Sequence, residues 1–247
     1  MKSLLKMTWM EAKLFLREPA GAFFTLVFPL MYLFVFGSIT GNRPTPQFGG
    51  QNTIDASIPS LTAMIICITG LMSTTMTMAT YREKGVLRRL RTTPVSPLVV
   101  LAAQVIVVFA MTALGMLLLV SVGALVYGVR FEGNVFSMLG GFILCSLSFF
   151  ALGFILAGAM PTVRSAWVIG MVLLYPMLLL SGAFFSVELM PAALQRVTTF
   201  IPLTYVVNLL RGLWIGEPWS KHLLDASVLA GMLVLGVIVS AKTFRWE

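Results

Sequence analysis

His222 is the one imidazole in this sequence, so no second histidine is present to complete an H-E-x-x-H metal site. No G-x-S-x-G elbow presents a serine nucleophile either. At the edge of an apolar run, His222 reads as a solvated interface residue. Cys67 and Cys145 both fall inside apolar runs, where a thiol behaves as a small hydrophobe, and neither reads as a metal ligand. The dipeptide Gly-Lys is absent, which rules out a G-x-x-x-x-G-K-[ST] loop cradling ATP phosphates. What remains chemically expressive is one dense cluster of charge, YREKGVLRRLRTTPVSP at 81–97, holding Arg82, Lys84, Arg88, Arg89 and Arg91.

The elements around that cluster are apolar. Hydrophobic residues make up 58% of the 247 and charged residues 11%, with a mean hydropathy of +0.95; a soluble domain carries about 25% charge. The expected fold is therefore an all-α integral membrane domain spanning 1–247. At about 20 residues per crossing, six apolar runs reach across a bilayer, near 21–40, 58–80, 98–127, 138–160, 166–186 and 222–241. Apart from His222 and Asp225 at the edge of the last run they hold no Asp, Glu, Lys, Arg or His, whereas ion-coupled transporters place ionisable groups in span interiors. Any active transport must draw its energy from a partner.

Six crossings put both termini on one face. Twelve of the 17 Lys/Arg then share it: Lys2, Lys6, Lys13 and Arg17, the five of 81–97, and Arg164, Lys242 and Arg245. The positive-inside rule places that face in the cytoplasm. The basic residues flank spans without interleaved aromatics, so topology and anionic lipid explain a pI near 9.9 better than nucleic acid does. Lys13 and Arg17 interrupt any signal-peptide core and no A-x-A site follows, so residue 1 reads as part of the mature chain.

Residues 1–18 have a helical phase that gathers their basic residues within about 60°, predicting an in-plane amphipathic helix on the cytoplasmic leaflet. Glu11 falls among the apolar residues, as though facing a protein. Residues 187–221 contain FIPLTYVVNLLRGLWIG (200–216), apolar enough to suggest a seventh span. A crossing there would put Asn208 and Arg211 in hydrocarbon at a cost of a few kcal/mol. A re-entrant or interfacial pair of short outer helices fits better.

Wound as a helix, Glu83, Val86, Leu87 and Leu90 share one face, flanked by basic residues, and TTPVSP stops it because each proline disfavours α geometry in the residue before it. That face suits another protein's groove. The stretch resembles the cytoplasmic loop of the ABC type-2 exporter permeases, roughly E-[RK]-E-x-G-T-L-x-x-L-x-x-[TS]-P: Arg82, Glu83, Gly85, Leu87, Leu90, Thr93 and Pro94 match, with Val86 in place of a frequent Thr. Its wording is most similar to the drug- and antibiotic-exporter branch. LSGAFFSVELMPAALQRVTTFIPLTYVVNLLRGLW (180–214) resembles the family's outer segment through Ser181, Gly182, Pro202, Thr204, Tyr205 and Arg211. Ser186 stands where many members carry Pro.

The resemblance implies a transport subunit without an ATPase site of its own, in a bacterial-type plasma membrane. It implies a second permease subunit and a separate P-loop ATP-binding subunit as partners. No cofactor is bound by this chain, and ATP and Mg belong to the ATP-binding partner. The 81–97 loop would be the coupling helix, with Arg82, Glu83, Lys84, Gly85, Leu87, Arg88, Leu90 and Pro94 at the contact. Leu87 and Leu90 would anchor, and Glu83 and the arginines would form orienting ion pairs. Pro202, Thr204, Tyr205 and Arg211 would mark an outer gate.

The second span carries Thr62, Thr69, Ser73, Thr77 and Thr80 within about 80° of one face. That stripe reads first as helix packing and second as a translocation face. Pro176 should kink the fifth span. The resemblance sets the second and fifth spans beside the pathway, making Thr69, Ser73, Thr77, Tyr175 and Ser181 its candidates. Faces without charge suit a hydrophobic or amphiphilic substrate, whether a drug-like molecule or a lipid-linked compound. A non-transporting scaffold that recruits a cytosolic partner through the same loop is the alternative; an intramembrane hydrolase lacks its catalytic groups.

Overall fold

The computed structural model describes residues 2–43, 52–86, 97–184 and 187–243. These residues are almost wholly helical, and six helices are long and apolar enough to cross a membrane: Phe23–Thr40, Thr53–Glu83, Val99–Tyr127, Val135–Ala159, Val163–Leu180 and Trp219–Lys242, here called spans 1 to 6. An amphipathic helix, Lys2–Arg17, precedes them and packs on span 3.

Span 2 is the axis of the fold. Spans 1, 3, 4 and 5 and the short helix Pro202–Trp214 all pack against it, and its most apolar stretch is fully enclosed. It starts at Thr53 and ends at Glu83, beyond the expected 58–80. Its first turns tolerate polar residues because their hydroxyls feed back into the helix: Ser57, in the extension, donates to the Thr53 carbonyl, and within the expected bounds Ser60 donates to Ala56 and Thr62 to Ile58. A hydroxyl satisfied by the carbonyl four residues back costs little inside a core.

Small residues let span 4 meet span 2 at backbone distance. A Cβ on Gly153 would stand 1.9 Å from the Gly70 carbonyl oxygen, and one on Gly70 would stand 2.7 Å from the Phe149 Cβ. Thr75 Oγ1 donates across the same crossing to the Gly153 carbonyl, at 3.1 Å. Where lipid is as apolar as side chains, such close approach and interhelical hydrogen bonds are what hold helices together. Span 6 packs chiefly on span 4, and Ser148 Oγ reaches the Leu229 carbonyl at 2.8 Å.

The segment 187–221 contains no seventh span. It folds into the turn Val187–Leu189 and the helices Ala192–Thr198 and Pro202–Trp214. The longer of these has 13 residues, about 20 Å at 1.5 Å per residue, against about 30 Å of hydrocarbon. It lies within the protein, burying Leu203, Val206, Val207, Leu209, Leu210 and Leu213 against spans 2, 4 and 6.

Among the described residues, Phe23–Val27 in span 1 and Ile68–Ser73 in span 2 are wound as π-helix. They lie against each other. A π-turn widens the helix by one residue and is frequently found at functional sites.

Candidate functional site

The end of the molecule that carries residues 81–86 is built around two neighbouring side chains of opposite charge. Span 2 closes at Glu83, and Gly85 turns the chain away with φ of +65°, a left-handed value that glycine adopts without a Cβ penalty. Arg82 and Glu83 do not pair with each other. Arg82 Nη1 donates to the carbonyls of Ala157, at 3.0 Å, and Met160, at 2.8 Å, where span 4 ends. Glu83 Oε2 accepts from the backbone N–H of Val163, at 2.9 Å, where span 5 begins.

Each charge matches the helix end it meets. The last carbonyls of a helix lack intrahelical donors and carry partial negative charge, and the first N–H groups carry the reverse. A cation on the C-terminus of span 4 and an anion on the N-terminus of span 5 therefore clasp the 160–163 turn to the foot of span 2. For these two residues, both expected as orienting ion-pair partners, the contacts within the chain are to backbone groups. Lys84 is exposed, and Val86 packs beside Met78, Tyr81, Val100 and Ala157. Leu87, Arg88, Leu90 and Pro94 lie outside the described residues.

The amphipathic helix is tied to the same end. Glu11, expected to face a partner protein, instead accepts a hydrogen bond from the Tyr81 hydroxyl of its own chain and is buried. Burial pushes its carboxyl above the usual carboxylate range, with the tyrosine hydrogen bond opposing the rise. An acid out of phase on an amphipathic helix was the visible signal; the helix it points to is 70 residues away in sequence. Glu11, Glu18, Thr77, Thr80 and Gln104 border a cavity of about 400 Å³ there.

A second cavity, of about 350 Å³, is a groove between spans 1, 2 and 5. Phe24 and Phe28 form one wall, Met64, Met72 and Ser73 the floor, and Trp167, Met171 and Tyr175 the other wall. It brings together Ser73 and Tyr175 of the expected pathway residues. Thr77 faces the neighbouring cavity instead. Thr69 is enclosed at the span 2–span 3 contact, donating to the Ile65 carbonyl and accepting from Thr112 Oγ1 at 3.0 Å. Glu18, absent from the sequence-level candidates, borders both cavities. The signal for it was present: a carboxylate directly ahead of the first span, in a chain with nine acidic residues in all.

At the opposite end, the outer motif is a set of hydrogen bonds. Pro202 opens the helix; Thr204 Oγ1 donates to the Thr198 carbonyl and the Tyr205 hydroxyl to that of Thr199, fixing the preceding turn. Arg211 Nε reaches Ser60 Oγ at 3.0 Å and its Nη2 the Gly182 carbonyl at 2.8 Å, joining the helix to span 2 and to the turn after span 5. Ser181 is buried in that turn, accepting from the Ala183 N–H at 3.3 Å. Asp55, Arg130, Glu132, Arg211 and Trp214 line a polar cavity of about 290 Å³ beside it.

His222 is not solvated. Its side chain is 12% exposed, with Nδ1 3.1 Å from Asp225 Oδ2 and Nε2 2.9 Å from Glu217 Oε2. The ring lies over Gly212, where a Cβ would collide with it. Hydrogen bonds from Lys221 and His222 hold the Glu217 carboxyl below its usual range. Among the described residues no cluster of His, Cys, Asp and Glu is arranged to hold a metal ion.

Comparison with known proteins fits this arrangement. The family described as ABC-2 type transporter matches residues 2–214. Nodulation protein J of Rhizobium leguminosarum bv. viciae is 31% identical over 99 residues, 40% of this chain and 38% of that protein. The probable multidrug ABC transporter permease YbhS of Escherichia coli (strain K12) is 26% identical over 188 residues, 76% of this chain and 48% of that protein. The putative transport permease ycf38 of Porphyra purpurea is 24% identical over 239 residues, 92% of this chain and 79% of that protein. The chain thus spans less than half the length of the first two.

Proposed function

The chain belongs to the ABC-2 type transporter family, and from that premise we propose that it is the permease subunit of an exporter driven by a separate ATP-binding subunit docked on residues 81–97. It is a multi-pass membrane protein with six apolar helices of spanning length. In the proposed complex it pairs with a second permease subunit, leaves ATP and Mg to the motor subunit, and carries no ATPase site. The skewed distribution of Lys/Arg supports placing its termini and the 81–97 loop on the cytoplasmic side of a plasma membrane.

The observation that carries this reading is the double clasp of Arg82 and Glu83. A partner pressing on 81–97 pushes on the foot of the central helix, and the clasp hands that displacement to spans 4 and 5 together. Rigid helices joined at their ends move as a unit, whereas a loop held by nothing would absorb the push. The relatives named as multidrug permeases, together with the apolar groove beside span 5, support a hydrophobic or amphiphilic substrate.

Docking is tested by co-purification with candidate ATP-binding subunits from the same genome. Leu87→Asp and Leu90→Asp each place a charge on the apolar face expected to enter the partner. Both should abolish recovery of the ATP-binding subunit while leaving membrane insertion intact. Undiminished complex formation in both variants overturns the docking site.

A further inference from the structure

The groove between spans 1, 2 and 5 is apolar along its walls and acidic at one point. Glu18 is half-buried at the end of the groove nearest the amphipathic helix, and burial pushes its carboxyl above the usual carboxylate range. Among the described residues no cation stands within ion-pair distance of it, and its carboxylate accepts no hydrogen bond there. Ser73 Oγ, itself buried, likewise makes no hydrogen bond among the described residues. The two converge: a single point, the position a Cβ would occupy on Gly21, lies 3.7 Å from Glu18 Oε2 and 3.8 Å from Ser73 Oγ.

The rest of the lining has one character. Phe24, Phe28, Trp167 and Tyr175 present ring surface, and Met64, Met72, Met76 and Met171 present thioethers. Aromatic faces attract cations through their quadrupole, more strongly where water is excluded. Methionine adapts to irregular apolar shapes. Among the described residues no Lys or Arg borders the groove, so an anionic headgroup would find only a carboxylate among them. The two facing π-turns make the local room: Ser73 ends the π-turn of span 2, and Phe24 lies in that of span 1.

We propose that this groove is a binding site for an amphiphilic cation, whose charge rests against Glu18 and Ser73 and whose apolar body lies between Trp167, Tyr175, Phe24 and Phe28. The proposal rests on the permease reading and narrows its substrate class. Glu18 and Met76 also border the neighbouring cavity, which Glu11 and Arg17 line as well, so the carboxylate stands where the two cavities meet. Charge complementarity selects this occupant over a neutral lipid tail, which would leave a half-buried carboxylate without a partner, and over an anion, which it would repel.

The test uses tetraphenylphosphonium and tetraphenylborate, which share size and shape and differ in the sign of their charge. Binding is measured by equilibrium dialysis against the purified chain in lipid nanodiscs, without ATP or the ATP-binding subunit. The wild-type chain should bind the phosphonium and leave the borate free. Glu18→Gln should weaken phosphonium binding at least about tenfold, the loss of one partly desolvated ion contact, and Glu18→Asp should restore most of it. Gly21→Leu, which fills the space between Glu18 and Ser73 while keeping the carboxylate, should weaken binding comparably. Equal affinity for the two ions, or unchanged phosphonium binding in both Glu18→Gln and Gly21→Leu, overturns the proposal. Because binding is read on the permease alone, failure here leaves the export reading standing, and failure of ATP-driven movement leaves this site standing.

Discussion

Replacing Gly153 with leucine is expected to prevent the chain from accumulating in the membrane in folded form, and Gly153→Ala to lower its unfolding temperature in detergent markedly. The reason is backbone, not side chain. The first atom added at position 153 lands 1.9 Å from the Gly70 carbonyl oxygen, and neither helix backbone can swing aside as a flexible side chain would. Relief requires spans 2 and 4 to separate along the crossing, which breaks the Thr75–Gly153 hydrogen bond. It also opens the packing of Phe149, which is fully enclosed. Overpacking in a filled core costs about 1–3 kcal/mol where neighbours can yield, and more where they cannot. Gly231, with nothing within 4 Å of its Cβ position, is the matched control: Gly231→Ala should leave the melting profile in place.

The second large effect concerns coupling rather than stability. Arg82→Ala removes both hydrogen bonds to the end of span 4 and leaves the 160–163 turn held to span 2 by Glu83 alone. In reconstituted complexes ATP hydrolysis should continue while substrate moved per ATP falls about tenfold, within the range of coupling energies of 1–3 kcal/mol between linked sites. Arg82→Lys should recover part of the loss, since one ammonium can still reach a carbonyl but lacks the guanidinium's fork. A variant that loses hydrolysis and movement together would point to failed docking instead of failed transmission.

Much of this architecture was legible in the residues. Runs of some 20 apolar residues fix spanning helices because hydrocarbon leaves a backbone no other partner, and the 13-residue helix Pro202–Trp214 could be separated from a true span by the cost of burying Asn208 and Arg211. Span 2 was underestimated at both ends because Asp55 and Ser57 at one end and Arg82 and Glu83 at the other lower hydropathy without breaking the helix; Asp55 accepts from Asn52, Ser57 returns to the Thr53 carbonyl, and Arg82 and Glu83 bond the backbone at the ends of spans 4 and 5, which no hydropathy sum registers.

The contacts that define the site were harder to read. The reach of Arg82 to Ala157 and of Glu83 to Val163 spans 75 and 80 residues, so no local pattern in the loop signals that these two charges also hold their own chain. His222 failed for the same reason. A lone imidazole at a span edge has no local cue that Glu217 and Asp225 will close on it. Thr69 was legible as a hydroxyl on a stripe, but its bond with Thr112, 43 residues away, was not.

The central claim is that an ATP-binding subunit drives this permease through residues 81–97 and the clasp behind them. The most direct measurement is ATP-dependent accumulation of a fluorescent amphiphile in inverted membrane vesicles holding this chain with the ATP-binding subunit that co-purifies with it. Wild-type vesicles should accumulate the compound only with ATP, and Leu87→Asp vesicles should not. Accumulation that persists without ATP, or at wild-type rate in Leu87→Asp vesicles, would contradict the account.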